Sequence, residues 1–148
     1  MGKLQEKVVI ITGGAGGIGL GMAKAMAKEG AVLAIVDVNE EAGKTAERIL
    51  QEISPNSMFV KANLMDRENL PNIIKTVVDQ YGKLDVLVNN AHASKQKLFE
   101  EITQDDLDLS LGTGFYPTFY LMKAALPYLK ETKGNIINFA SGAGINGD

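Results

Sequence analysis

The stretch IITGGAGGIGLG (10–21) joins an apolar run to a helical pattern through a row of glycines. Gly14, Gly16 and Gly19 fit the spacing G-x-G-x-x-G, and Gly13, Gly17 and Gly19 fit a second, G-x-x-x-G-x-G. Either spacing lets the chain turn tightly, approach a pyrophosphate closely and pack the next helix on a sheet without Cβ atoms in the way. The first turn of that helix then offers free N–H groups and a partial positive charge to phosphate. A glycine pattern alone also fits a flexible turn; its place between a strand and a helix is what points to dinucleotide binding. Asp37 closes the next apolar run, where an acid accepts hydrogen bonds from an adenosine ribose. A carboxylate there repels a 2′-phosphate. Val38 rather than arginine follows it and the adjoining loop carries no basic residue, so NAD is expected over NADP. The plainer reading of Asp37 is a solvated strand-end carboxylate or a helix cap. Ser141, the one hydroxyl in the loop SGAGINGD (141–148), is the last candidate. By itself it reads as a hydroxyl satisfying backbone at a strand end.

These residues need a scaffold, and the apolar patterning supplies one. Strands are expected over 7–11, 31–37, 57–62, 84–90 and 135–140, and helices over 17–29, 39–53, about 70–82 and 103–130. Ala23, Met26 and Ala27 share one helical face; Ala42, Ala46, Ile49, Leu50 and Ile53 share a second; Leu70, Ile73, Ile74, Val77 and Val78 a third. The strand runs are almost continuously apolar, the pattern of strands buried on both faces. Strand–helix alternation at this spacing implies right-handed βαβ units. The fold class is therefore α/β, a doubly wound parallel sheet of the Rossmann kind with strand order 3-2-1-4-5, in one dinucleotide-binding unit over 1–148. No linker or internal repeat interrupts it.

The bulk properties narrow the function. A net charge of −3 argues against a dedicated nucleic-acid binder. The absence of cysteine removes disulfide and thiolate chemistry and fits the cytoplasm. The opening MGKLQEKVVIITGG has too short an apolar core for a signal peptide, and Glu6 stands where a myristoylation motif needs Ser or Thr. No apolar run approaches the ~20 residues that span a bilayer, so no membrane partner is expected.

Taken together, TGGAGGIG (12–19), ANL (62–64), NNA (89–91) and GNIINFAS (134–141) resemble, in order and spacing, the motifs of the short-chain dehydrogenases/reductases. The similarity runs from about Lys7 to the last residue and selects the second glycine spacing. The resemblance implies that Gly13, Gly17, Ile18 and Gly19 line the pyrophosphate and that Asp37 holds the ribose. Asn63 and Leu64 would flank the adenine, and Asn90 and Ala91 would support the cofactor near the nicotinamide-side ribose. Ser141 would hydrogen-bond the substrate oxygen. It further implies an NAD-dependent oxidoreductase interconverting a small-molecule alcohol and ketone, with no metal, in a dimer or tetramer built through the long helix.

Three positions depart from the family pattern. His92, the only histidine, replaces the last glycine of N-N-A-G. A lone loop histidine is not usually catalytic; shaping the substrate mouth is its alternative role. Gly114 stands where the family places an asparagine that holds a proton-relay water. With Gly112 and Pro117 it is expected to kink the long helix, at about 1 kcal/mol per glycine and about 3 for an interior proline. Thr103 and Asp106 form a capping box there, and Leu107, Leu111, Phe115, Phe119, Met122 and Leu126 form an apolar row suited to core or subunit contact. Third, the family brings a tyrosine roughly a dozen residues after the serine and a lysine one helical turn further on, which lowers the tyrosine pKa from about 10. Residues 142–148 hold neither. The expectation is an N-terminal part of a longer enzyme. The alternatives are a non-catalytic NAD-binding sensor or partner protein, and a degraded remnant.

Overall fold

The computed structural model describes residues 2–147. Met1 and Asp148, the ends of the expected 1–148 unit, lie outside the described residues. Strands β1 (Val8–Thr12), β2 (Val32–Asp37), β3 (Met58–Lys61), β4 (Val86–Asn89) and β5 (Asn135–Asn138) form one sheet in the order β3-β2-β1-β4-β5, every neighbouring pair parallel. This is the predicted order. Helices α1 (Gly17–Lys28), α2 (Glu40–Gln51), α3 (Leu70–Tyr81), α4 (Gln104–Ser110) and α5 (Tyr116–Thr132) connect or follow the strands.

The continuous apolar runs divide by alternate residues between two cores. Val9, Ile11, Leu33, Ile35 and Val88 meet Ala23 and Ala27 of α1 and Ala46 and Leu50 of α2. Ile10, Ala34, Val36 and Leu87 meet Ile73, Ile74 and Val77 of α3 and Leu121, Ala125 and Leu129 of α5. Burial on both faces is why β1 needs its apolar run Val8–Ile11; its last residue, Thr12, is buried as well.

The β1–β4 pairing is locked at its start by a buried carboxylate. Asp85 is 4% exposed; its Oδ2 accepts the Val8 N–H at 2.9 Å and meets Lys83 Nζ at 3.0 Å. Asp85→Ala leaves that N–H buried without an acceptor, so a loss of about 1–3 kcal/mol is expected in urea denaturation.

Tyr81, at the end of α3, donates its hydroxyl to the Asn56 carbonyl. Burial, aided by the charge of Glu47, pushes its pKa up to about 12. A raised native pKa means the neutral phenol is favoured in the folded chain, so this contribution is complete below pH ~10 and is lost as pH climbs toward 12. Urea midpoints followed from pH 8 to 12 should fall more in the parent than in Tyr81→Phe.

The long helical region is continuous from Gln104 to Thr132, and the distortion expected at Gly112, Gly114 and Pro117 takes the form of a π turn. The region runs as α4, a π-helical turn at Leu111–Phe115, and α5. Gly112 and Gly114 fall in the wide turn, and Pro117 follows it directly at the start of α5. Thr113 Oγ1 donates to the Leu109 carbonyl and Thr118 Oγ1 to the Gly114 carbonyl, each at 2.7 Å. The apolar row of this region is not core. Phe115 and Phe119 are 66% and 54% exposed, Leu107 and Leu126 are exposed, and Leu111 and Met122 are half-buried. A helix has one face to give the sheet, and Leu121, Ala125 and Leu129 occupy it. β5 forms the sheet edge, as the expected order 3-2-1-4-5 places it, with Ile137 and the following Phe139 exposed. The loop after it winds into a short helix, α6 (Ala143–Asn146). The capping box is present: Thr103 Oγ1 accepts the Asp106 N–H at 3.2 Å, and Asp106 Oδ2 accepts the Thr103 N–H at 2.9 Å. No helix among the described residues is long and apolar enough to cross a membrane.

Candidate functional site

Strands β1, β2 and β4 end together, and the connections leaving them splay to opposite faces of the sheet. That is where doubly wound sheets open a crevice. Here the crevice holds about 350 Å³ and is lined by Gly13, Gly16, Asp37, Val38, Ala62, Asn63, Leu64, Asn90, Ala91, His92 and Thr113, among others.

The glycine loop forms its floor. Gly13 and Gly17 have φ of +64° and +53°, a backbone region that disfavours side chains. Gly19 is required for a different reason: a Cβ there would lie 2.2 Å from the Gly13 carbonyl oxygen and 2.7 Å from Asn90 Nδ2. Gly16 is extended at φ −164°, and a Cβ on it would touch nothing within 4 Å. The structure thus makes demands at Gly13, Gly17 and Gly19, all three of the second spacing, while of the first it leaves Gly16 free and holds Gly14, where a Cβ would lie 2.6 Å from Ile35. Gly16 caps α1 without any side-chain acceptor, leaving the first-turn N–H groups to a ligand. Ile18 sits in that turn with its side chain 69% exposed and outside the crevice lining, so only its backbone can serve a phosphate.

Asp37 reaches toward this loop. Its Oδ2 accepts the Ala15 N–H at 3.2 Å and its Oδ1 the Asn39 N–H at 3.1 Å. These bonds brace the glycine loop and the turn before α2, whose N-cap is Asn39 rather than Asp37. A carboxylate has about four lone-pair positions, and two remain for hydroxyl donors. Lys61, opposite Asp37 across β2 and β3, pairs with Glu40, as does Lys44. Their hydrogen bonds, Lys61 first, hold the Glu40 carboxyl down to about 2. No lysine or arginine lines the crevice.

Asn90 and Thr12 fasten the loop to the end of β4. Asn90 Nδ2 donates to the Thr12 carbonyl at 3.0 Å and to the Gly13 carbonyl at 3.4 Å. The buried Thr12 hydroxyl accepts the N–H groups of Asn90 and Ala91, both at 3.0 Å. Thr12, directly before the glycines in the motif TGGAGGIG, has a bracing role signalled in the sequence only by that place. The amide of Asn90 is thereby committed to the loop, and it lines the crevice beside Ala91. Asn63 Oδ1 caps its own turn by accepting the Met65 N–H, which leaves Asn63 and Leu64 as one wall.

Ser141 is not in this crevice. It lines a second cleft of about 520 Å³ that shares Asn90, Ala91 and His92 with the first and is otherwise bounded by the π turn and the end of β5. Its Oγ accepts the Ala143 N–H at 3.2 Å, the backbone-satisfying role, and among the described residues nothing accepts its own proton. Thr113, unforeseen from the sequence, binds the loop after β4: its Oγ1 accepts the Ala93 N–H at 2.9 Å. Further along, Lys97 and the Thr103 N–H and hydroxyl hold the Asp106 carboxyl down to about 2, tying that loop to the start of α4.

The comparisons with known proteins agree with this geometry. A family model described as short chain dehydrogenase matches residues 7–148. The chain is 40% identical to a 12alpha-hydroxysteroid dehydrogenase of Clostridium sp., over all of this chain and 60% of that protein. It is 32% identical to the 3-oxoacyl-[acyl-carrier-protein] reductase FabG of Thermotoga maritima, covering 99% of this chain and 60% of the relative. The crystal structure of Cj0485 dehydrogenase superposes with a TM-score of 0.90 at 34% identity, covering 99% of this chain and 55% of that one. The chain thus spans a little over half the length of these relatives.

Proposed function

From the premise that the chain belongs to the short-chain dehydrogenase/reductase family, we propose that it binds NAD and serves an oxidoreductase interconverting an alcohol and a ketone. The observation that carries the cofactor choice is Asp37, a carboxylate at the end of β2 with no cation lining the crevice beside it. The residues present fit a dinucleotide: a floor that Cβ atoms would fill at Gly19, open space at Gly16 and Gly17, uncapped N–H groups at α1, and an acid at the ribose end. Bound NAD supplies hydride chemistry. The chain's own part is to hold it. The α1 N–H groups take the pyrophosphate, Asp37 takes the ribose hydroxyls, and Asn63 and Leu64 wall the adenine. Ala91 supports the nicotinamide-side ribose, and Asn90 does so through the loop it braces.

Ser141 donates its hydroxyl proton to the substrate oxygen in the adjoining cleft, where negative charge grows during reduction. In this reading proton transfer falls to a tyrosine–lysine pair that the family places after the serine. The exposed row at Phe115, Phe119 and Leu126 supports assembly with a second copy through α5. Secondary alcohols are the substrates to screen, hydroxysteroids first because of the relative from Clostridium.

The test is the intact mass and coding sequence of the protein, followed by NADH formation from NAD with that panel. A tyrosine and lysine one turn apart after Ser141, with turnover, support the enzyme reading. NADH binding without turnover on any panel member, in a protein lacking the pair, would replace it with a binding role.

A further inference from the structure

The departures at His92 and Gly114 touch each other. A Cβ on Gly114 would stand 2.9 Å from His92 Cδ2. Gly114 is not among the positive-φ glycines, so its backbone does not ask for glycine; the room taken by the imidazole does. The surrounding backbone is held in register by Thr113, whose Oγ1 accepts the Ala93 N–H at 2.9 Å while donating to the Leu109 carbonyl. π turns often mark functional positions in helices, and this one packs directly against the loop after β4. His92 is also one of three residues that line both clefts. Of the other two, Asn90 spends its amide on the glycine loop and Ala91 has no polar side chain. Among the described residues no hydrogen bond engages the imidazole. Its two ring nitrogens are therefore available, beside Asn90 Oδ1, to a ligand that crosses from one cleft to the other.

We propose that His92 is a ligand-contacting, positioning residue at the junction of the clefts, seated in the space left by Gly114, and that it engages the half of a bound dinucleotide that extends toward Ser141. The inference rests on the dinucleotide reading above. Because His92 is the only histidine, imidazole resonances in a ¹H–¹⁵N spectrum report on it alone. The chain is titrated with AMP and, separately, with NADH, binding being measured independently by calorimetry. AMP reaches only the Asp37 end and leaves the imidazole signals in place; NADH moves them. Gly114→Ala drives the ring from its seat and weakens NADH binding about tenfold while AMP binding, which also reports correct folding, is kept. In a His92→Ala background the same Gly114→Ala has no further effect, the coupling expected of residues in contact. NADH binding with no imidazole shift, an equal shift with AMP, or the same effect of Gly114→Ala with and without His92 overturns the inference. Absence of NADH binding in calorimetry overturns the dinucleotide reading itself, and this inference with it.

Discussion

Gly19→Ala should weaken NADH binding by about 10–100-fold. The new methyl group would be placed 2.2 Å from the Gly13 carbonyl oxygen and 2.7 Å from Asn90 Nδ2. Neither neighbour can yield cheaply. The first is backbone in a turn already at φ +64°, and the second is the amide that holds the loop to β1 at 3.0 Å. Overpacking of this kind costs about 1–3 kcal/mol, and each 1.4 kcal/mol is about tenfold in affinity. Here the displaced atoms are the floor of the crevice, so the damage falls on binding as well as stability. Gly21→Ala is the matched control. Its Cβ meets nothing within 4 Å in the same helix, so it should leave binding intact and stabilise α1 by about 1 kcal/mol. NADH fluorescence titration and urea denaturation of both variants separate the two effects.

The second large effect concerns which dinucleotide is held. A 2′-phosphate about 4 Å from Asp37 would meet a repulsion of about 4 kcal/mol at an effective dielectric near 20, or about a thousandfold in affinity. Val38, 62% exposed, offers no compensating charge, and Lys44 and Lys61 are held by Glu40. Asp37→Ser combined with Val38→Arg should reverse the preference. NADH should weaken by about 10–100-fold, because hydrogen bonds to a charged group, worth about 1.5–3 kcal/mol, are removed. NADPH should gain by a comparable factor. Part of the NADH loss comes indirectly, since Asp37 also holds the Ala15 N–H. Asp37→Asn, which keeps an acceptor oxygen but not the charge, should fall between parent and double variant for both cofactors.

Much of this architecture was legible in the sequence because one physical cause governed each feature. Strands such as β1 and β2 are buried on both faces, so their apolar runs were unbroken and their order followed from the alternation with helices. Gly13, Gly17 and Gly19 were legible because tight turning and close approach admit no other residue. The misreadings fall where two causes compete. Residues 103–130 carry two overlapping apolar stripes, and periodicity alone did not say that Leu121, Ala125 and Leu129 would face α3 while Phe115 and Phe119 faced outward. The π turn is a compromise between Gly112, Gly114 and Pro117 that no single propensity encodes. β5 reads like an inner strand by composition, but exposure depends on what lies beside it, which its own residues do not specify. Thr12 and Thr113 escaped notice because a hydroxyl that braces backbone has no spacing signature. The contact between His92 and Gly114 joins residues far apart in the chain and became visible only in three dimensions.

The most direct test of the account is a calorimetric titration of the chain with NADH and with NADPH under identical salt. The account predicts saturable binding of NADH and an NADPH affinity lower by two to three orders of magnitude, on the order set by a like charge at Asp37. Equal affinity for the two cofactors, or tighter binding of NADPH, would contradict the role given to Asp37. Absence of binding to either would contradict the crevice as a dinucleotide site.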